Sequence, residues 1–104
     1  MTQANPMRGE AELWVGGARL VLRPSFAALV AAEQELGSLF ALVERAAEGR
    51  LMLGEVAGLF WHCVCDPPEE LTRERVGEAV AELGLARVAP VLKGLLRQIL
   101  QGAV

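Results

Sequence analysis

The sequence predicts an α+β fold in which an N-terminal β-hairpin packs on a small bundle of about five helices. Apolar and polar residues alternate on both sides of Gly16-Gly17, and five later segments carry apolar residues at helical spacing. A chain of 104 residues has the length of one domain, because half of it could not bury a core of its own. We therefore expect one domain, with a flexible N-terminus at 1–7, the hairpin at 8–23 and the helical part at 25–101.

The hairpin has one register that both of its faces support. Gly16-Gly17 is a two-residue turn, since glycine tolerates the positive φ that such turns require. Leu13 then faces Leu20 on an apolar side, which is the expected core side, and the other side is expected to face solvent. The register gives the pairs Val15–Ala18, Trp14–Arg19, Leu13–Leu20, Glu12–Val21, Ala11–Leu22 and Glu10–Arg23.

The helical part divides into segments that mostly begin at a capping residue and end at a glycine or before a proline. Serine and threonine side chains accept backbone N–H groups at a helix start, and glycine readily adopts the conformation that ends a helix. The predicted helices run from Ser25 to Gly37, from Ser38 to Gly49, from about Leu53 to Cys65, from Thr72 to Gly84 and from about Leu85 to Gln101.

The third and the last of these helices have distinctive features. The third is apolar nearly all round, so we expect it to be central and the most buried. Asp66-Pro67-Pro68 ends it, because proline donates no backbone hydrogen bond and disfavours helix in the residue before it. The last helix has Pro90 near its first turn, where the missing N–H costs least, and a kink at Pro90 is the alternative.

Composition excludes several classes of partner. The net charge of −3 and a pI near 5.1 predict repulsion from a nucleic-acid backbone. The longest apolar run, Val56 to Cys65, is far shorter than the roughly 18 residues of a membrane span. The N-terminal residues lack the pattern of a secretory signal, and two cysteines one residue apart suit a reducing compartment. We expect a cytoplasmic protein that binds neither nucleic acid nor membrane.

One cluster, His62-Cys63-Val64-Cys65, has residue types that perform catalysis or bind metals. A structural zinc site needs four ligands, and the sequence has no second cluster. On a helix, Cys63 and Cys65 would point about 200° apart, so they could not bind one ion or form a disulfide. The sequence therefore predicts no catalytic residue, no metal and no cofactor. A small hydrolase or redox enzyme that uses His62, Cys63 and Cys65 remains the alternative.

The last helix is the predicted partner surface, because its apolar residues cover more than half of its circumference. Residues 83–104 carry three positive charges and no negative one, whereas residues 1–82 carry seven positive and thirteen negative charges. Burial within the chain and burial against a partner are equally compatible with this pattern. An acidic amphipathic helix fits the surface, as does the acidic row Glu74, Glu78 and Glu82 of a second copy. The predicted contact residues are Arg87, Leu92, Lys93, Leu95, Leu96, Arg97, Ile99 and Leu100.

The order of motifs resembles that of a known family over about residues 5 to 100. The motifs are Asn5-Pro-Met-Arg-Gly-Glu10 before the hairpin, Glu35-Leu-Gly, Gly49-Arg-Leu51 and Leu71-Thr-Arg-Glu-Arg-Val76. They resemble the gene-transfer-agent tail proteins of alphaproteobacteria, phage-derived proteins described as tail tube or tail assembly chaperone components. Met52, where a serine or threonine cap is expected, and the His62–Cys65 cluster depart from that pattern.

The resemblance implies a non-enzymatic protein of a phage-like tail, in a gene transfer agent or a prophage. A tail assembly chaperone would bind the tape-measure protein, a long helical protein, and keep it soluble until the tube forms around it. Such a protein needs an apolar helical surface and no active site, and it can act as a homo-oligomer. The alternative is a structural tail tube component, but two predicted strands are too few to line a tube. We therefore expect the chaperone.

Overall fold

The structure, a computed structural model, describes residues 10–102 and confirms the α+β prediction. The predicted flexible segment 1–7 and the first residues of the predicted hairpin lie outside these residues. The elements in chain order are β1 (Ala11–Val15), β2 (Ala18–Leu22), α1 (Phe26–Leu36), α2 (Leu39–Ala47), α3 (Leu53–Cys63), β3 (Val64–Cys65), α4 (Arg73–Leu83) and α5 (Leu85–Gln101).

The hairpin has the predicted register. β1 and β2 are antiparallel, with Leu13 opposite Leu20 and Trp14 opposite Arg19. The turn residues Gly16 and Gly17 have φ angles of 56° and 82°, which side chains with a Cβ rarely adopt. The predicted pair at the open end is also present, since Arg23 Nε lies 2.7 Å from a carboxylate oxygen of the buried Glu10.

The sheet has a third strand that the sequence analysis missed. The helix expected to reach Cys65 ends at Cys63, and Val64–Cys65 pairs with β2 in antiparallel orientation. The N–H of Arg23 donates to the Cys63 carbonyl at 2.7 Å and joins the helix end to the hairpin. The helix cannot continue through the two prolines after Asp66, because proline donates no backbone hydrogen bond, and Asp66 itself has a positive φ of 50°. Val64 and Cys65 are therefore free to pair with the edge of the hairpin.

The third strand also corrects the expected exposure of Val21. A two-stranded ribbon would leave this side chain in solvent, opposite Glu12, but the structure buries it. Val21 pairs with Cys65 of β3, and Pro68 lines the same side of the sheet. The outer face of the sheet is therefore partly covered by the chain that follows α3.

The predicted side-chain caps are confirmed. The hydroxyl oxygens of Ser25, Ser38 and Thr72 each accept the backbone N–H three residues later, at 3.2, 3.3 and 3.2 Å. At the start of α3, where Met52 offers no hydroxyl, a carboxylate oxygen of Glu55 accepts the Met52 N–H at 2.9 Å. Glu55 also forms an ion pair with Arg45 of α2, so one carboxylate caps α3 and connects it to α2.

The core surrounds α3, the predicted central helix, which packs against α1 and α4. The inner face of the sheet completes this core through Leu13, Leu20 and Leu22. Pro90 lies in the second turn of α5, further into the helix than expected, and the helix continues through it. Between residues 10 and 102, no single helix has the length and apolar composition to cross a membrane. α1 and α2 meet these two criteria only when they are taken together, and a bend of 77° separates them.

Candidate interaction surface

α5 is held in place by two side chains that it buries completely or almost completely. Val88 and Leu95 belong to the main core, and Leu95 has no exposed surface. The helix packs against α4 and β1, so the sheet and α4 determine which side of α5 remains outside. Since side chains three and four positions apart share a helix face, the residues beside Val88 and Leu95 form the border between core and solvent.

The predicted contact residues divide into three groups. Leu95 is inside the core and cannot contact a partner in the folded protein. Leu92, Leu96 and Ile99 are half-buried and pack against the core with part of their surface. Leu100 is 60% exposed, and the cations Arg87, Lys93 and Arg97 are exposed as predicted.

Two apolar grooves separate α5 from α2. The Phe40 groove has a volume of about 210 Å3 and the Leu51 groove one of about 190 Å3. The Phe40 groove is lined by Leu29, Glu33, Leu39, Phe40, Val43, Ile99 and Leu100. The Leu51 groove is lined by Ala46, Gly49, Leu51, Val56, Leu85, Val88, Ala89 and Leu92.

The contribution of α2 to these grooves was missed by the sequence analysis. The spacing of Leu39, Val43 and Ala46 predicts a buried face of α2, but these residues also line the two grooves. The sequence does indicate that Phe40 is exposed, because this residue lies outside the buried stripe of α2. A large aromatic side chain in that position has no place in the core. In the structure Phe40 is 79% exposed.

The charges on α5 itself are all of one sign. Its three cations stand on a helix without any acidic residue. Within residues 10–102, none of these cations lies within ion-pair distance of a carboxylate. On α4, Glu74, Glu78 and Glu82 are exposed as expected. α5 therefore presents apolar side chains beside cations that are available to an acidic partner.

The side chains of His62, Cys63 and Cys65 lie in three different environments. Burial raises the pKa of the Cys63 thiol to about 12, so it remains protonated at neutral pH and is a poor nucleophile. Nε2 of His62 lies 2.7 Å from a carboxylate oxygen of Glu35. Cys65 is part of β3 and is half-buried. No group of three residues with metal-binding side chains occurs in the part of the chain that the structure describes.

Glu35 is the centre of a polar cluster that joins three helices. Its carboxylate on α1 accepts hydrogen bonds from Arg73 of α4 and contacts His62 of α3. Gly58 of α3 lies beside Arg73, and a Cβ atom at position 58 would collide with the Arg73 guanidinium. The hydrogen bonds from Arg73 and His62 lower the pKa of Glu35 from 4.5 to about 2. We interpret this cluster as structural, because it fixes α1 and α4 on the central helix.

The Glu35 cluster predicts a pH dependence of stability. Above the ordinary pKa of 4.5, Glu35 is ionised in the folded and the unfolded chain and stabilises the fold fully. As pH falls towards about 2, the unfolded chain takes up a proton first and this stabilisation is lost. Urea denaturation should show Glu35→Gln about 1 kcal/mol less stable than wild type at neutral pH, since exposed pairs contribute little. That difference should shrink between pH 4.5 and pH 2.

Glu44→Gln provides the matched control for this prediction. Glu44 is an exposed glutamate of α2, and it forms no ion pair with any residue from 10 to 102. Its substitution should leave the unfolding free energy within about 0.5 kcal/mol of wild type at every pH. A Glu35→Gln variant that behaves like Glu44→Gln would show that the cluster does not stabilise the fold.

A comparison with protein families gives a match over nearly the whole chain. The model of the family described as phage tail tube protein, GTA-gp10, matches residues 8–102. No curated protein and no solved structure matches the chain. The family match spans both strands of the hairpin and all five helices, including the α5 surface. The chain therefore belongs to the phage tail tube protein family GTA-gp10.

Proposed function

We propose that the protein is a tail assembly chaperone of a gene transfer agent or prophage and that it binds the tape-measure protein through α5. Its contact residues would be the partly exposed Leu92, Leu96, Ile99 and Leu100. The buried Leu95 would hold α5 on the core. This proposal rests on one observation: the apolar side of α5 borders two open grooves, while all three charges of this helix are exposed cations.

These features suit an elongated helical partner. Helices bind in grooves through apolar anchors spaced about one turn apart, and the two grooves lie between the same pair of helices, α2 and α5. Exposed cations attract acidic residues beside the anchors, although each exposed charge pair contributes only about 0–1 kcal/mol. Apolar contact would therefore supply most of the affinity, and charge would select the partner.

The size of the sheet favours a chaperone over a tube subunit. β1 and β2 have five residues each and β3 has two, whereas a wall around a channel needs longer strands that continue from subunit to subunit. The inner side of this sheet is already used to cover the core. A structural tail tube component is the second candidate, because the family description names the tail tube.

The composition of purified particles separates these two candidates. A chaperone should be absent from mature tails or present far below one copy per tube subunit, because it leaves when the tube forms. A tube component should be among the most abundant proteins. Quantitative mass spectrometry of purified particles measures this ratio, and an abundance equal to that of the major tail proteins would contradict the chaperone proposal.

Co-expression with the tape-measure protein tests the binding surface. Wild type should keep the tape-measure protein in the soluble fraction. The triple variant Arg87→Glu, Lys93→Glu, Arg97→Glu should lose this activity, because it reverses every charge on α5 without changing a buried residue. Arg75→Glu is the control, since this arginine is exposed, stands on α4 and lines neither of the two grooves. Equal solubility with wild type and the triple variant would exclude the α5 cations from binding.

A further inference from the structure

Phe26 and Phe40 are the two most exposed large apolar side chains among residues 10–102. They are 84% and 79% exposed and stand in the first turns of α1 and α2. Val30, one turn after Phe26 on the same side of α1, is also exposed. Contiguous exposed aromatic side chains are typical of protein interfaces.

The helical positions of Phe26 and Val30 place them next to Leu29 and Glu33, the residues of α1 that line the Phe40 groove. Leu29, Phe40, Val43 and Leu100 line that groove, and Phe26 lies three positions before Leu29, on the same face of α1. The groove also contains one charged residue, Glu33, whose carboxylate already accepts the N–H of Leu39 at 3.1 Å. We call this surface the phenylalanine patch; it consists of Phe26, Leu29, Val30, Phe40, Val43 and Leu100.

We propose that, in the protein free of the tape-measure protein, a second copy of this chain covers the phenylalanine patch, with the patch of one copy facing the same patch of the other. Two-fold dimers are the commonest soluble oligomers, and their interfaces are self-complementary. An apolar patch satisfies this condition, because two such patches attract each other without a charge partner. The cations of α5 or the glutamates of α4 would instead repel their own copies across a two-fold axis.

The expected buried area approaches that of a specific contact between two chains. A phenylalanine side chain buries about 150–250 Å2, and about four-fifths of each ring is exposed here. The four rings of two copies would therefore remove about 500–800 Å2 from solvent. Val30, Leu100 and the residues around them raise the total towards the roughly 1,000 Å2 that a specific interface requires. The two rings of each copy would be its energetic centre.

Sedimentation equilibrium of the full-length chain tests this proposal without any tail protein, so its result is independent of the proposed function. Wild type should reach a mass of twice 11.1 kDa as concentration rises. Phe26→Glu and Phe40→Glu should each raise the dimer dissociation constant at least about thirty-fold, as the loss of a central aromatic anchor does. Both should remain folded, because an acidic residue in the first turn of a helix is favourable.

Leu85→Glu is the matched control. Leu85 is 65% exposed, also stands in the first turn of its helix, and lines the Leu51 groove instead of the phenylalanine patch. Its dissociation constant should stay within about threefold of wild type, the change that about 0.6 kcal/mol produces. The proposal is overturned if wild type is monomeric at all concentrations or forms larger assemblies. It is also overturned if Phe26→Glu and Phe40→Glu dimerise normally, including the case in which they lose only tape-measure binding.

Discussion

Replacing Leu13 with aspartate is expected to lower the free energy of unfolding by about 3–5 kcal/mol, because it leaves a carboxylate in the core without a partner. Leu13 is 2% exposed and stands opposite Leu20 on the inner face of the hairpin. A domain of this size has a total stability of about 5–15 kcal/mol, so the variant should be largely unfolded at modest urea concentrations. Urea denaturation followed by circular dichroism measures the loss.

Trp14→Asp is the control for this prediction, since it introduces the same side chain at the adjacent position of β1. Trp14 lies on the outer face of the sheet and is about half exposed. Aspartate is a poor strand former and the indole contacts are lost, so a cost of about 1 kcal/mol is expected. The contrast between neighbours measures the alternation of the strand directly. Equal losses at both positions would mean that the register of the hairpin is wrong.

The hairpin was predictable because its pattern and its turn are local. Gly16-Gly17 fixes the turn, and the alternation from Leu13 to Leu20 fixes which face is buried. Ser25, Ser38 and Thr72 were likewise predictable as helix caps, because a cap hydrogen bond joins residues three positions apart. The spacing of residues along the chain is therefore enough to predict such contacts.

The third strand and the polar cluster could not be predicted in this way. β3 has two residues, too few for an alternating pattern, and it forms because the edge of β2 lies beside the end of α3. The spacing of Glu35 on α1 indicates an exposed side chain, as the structure has it, but it does not indicate the partner Arg73, 38 positions later in the chain. Contacts between distant segments depend on how the helices pack, and one sequence does not show that packing.

The sequence identified the helix that forms the candidate surface, but it did not identify which side chains of that helix are exposed. The spacing of apolar residues identified α5, but it could not separate Leu95, which enters the core, from Leu100, which remains outside. The stripe of apolar residues was too wide for its centre to be located without α4 and β1 in place. The contribution of α2 to the Phe40 groove was missed for the same reason, because Phe40 and Leu100 line one groove only in the folded protein.

Leu95→Ala should therefore be the most damaging alanine substitution among the predicted contact residues of α5, with a loss of about 2–5 kcal/mol in unfolding free energy. The side chain is fully buried, so its removal leaves a cavity between α5 and the rest of the core. Leu100→Ala changes the same residue type five positions later, where most of the side chain is in solvent, and should cost no more than about 0.5 kcal/mol. Thermal and urea denaturation of the two variants measure the difference. A stable Leu95→Ala variant, or a Leu100→Ala variant that is equally unstable, would contradict the orientation of α5 and with it the assignment of its exposed side.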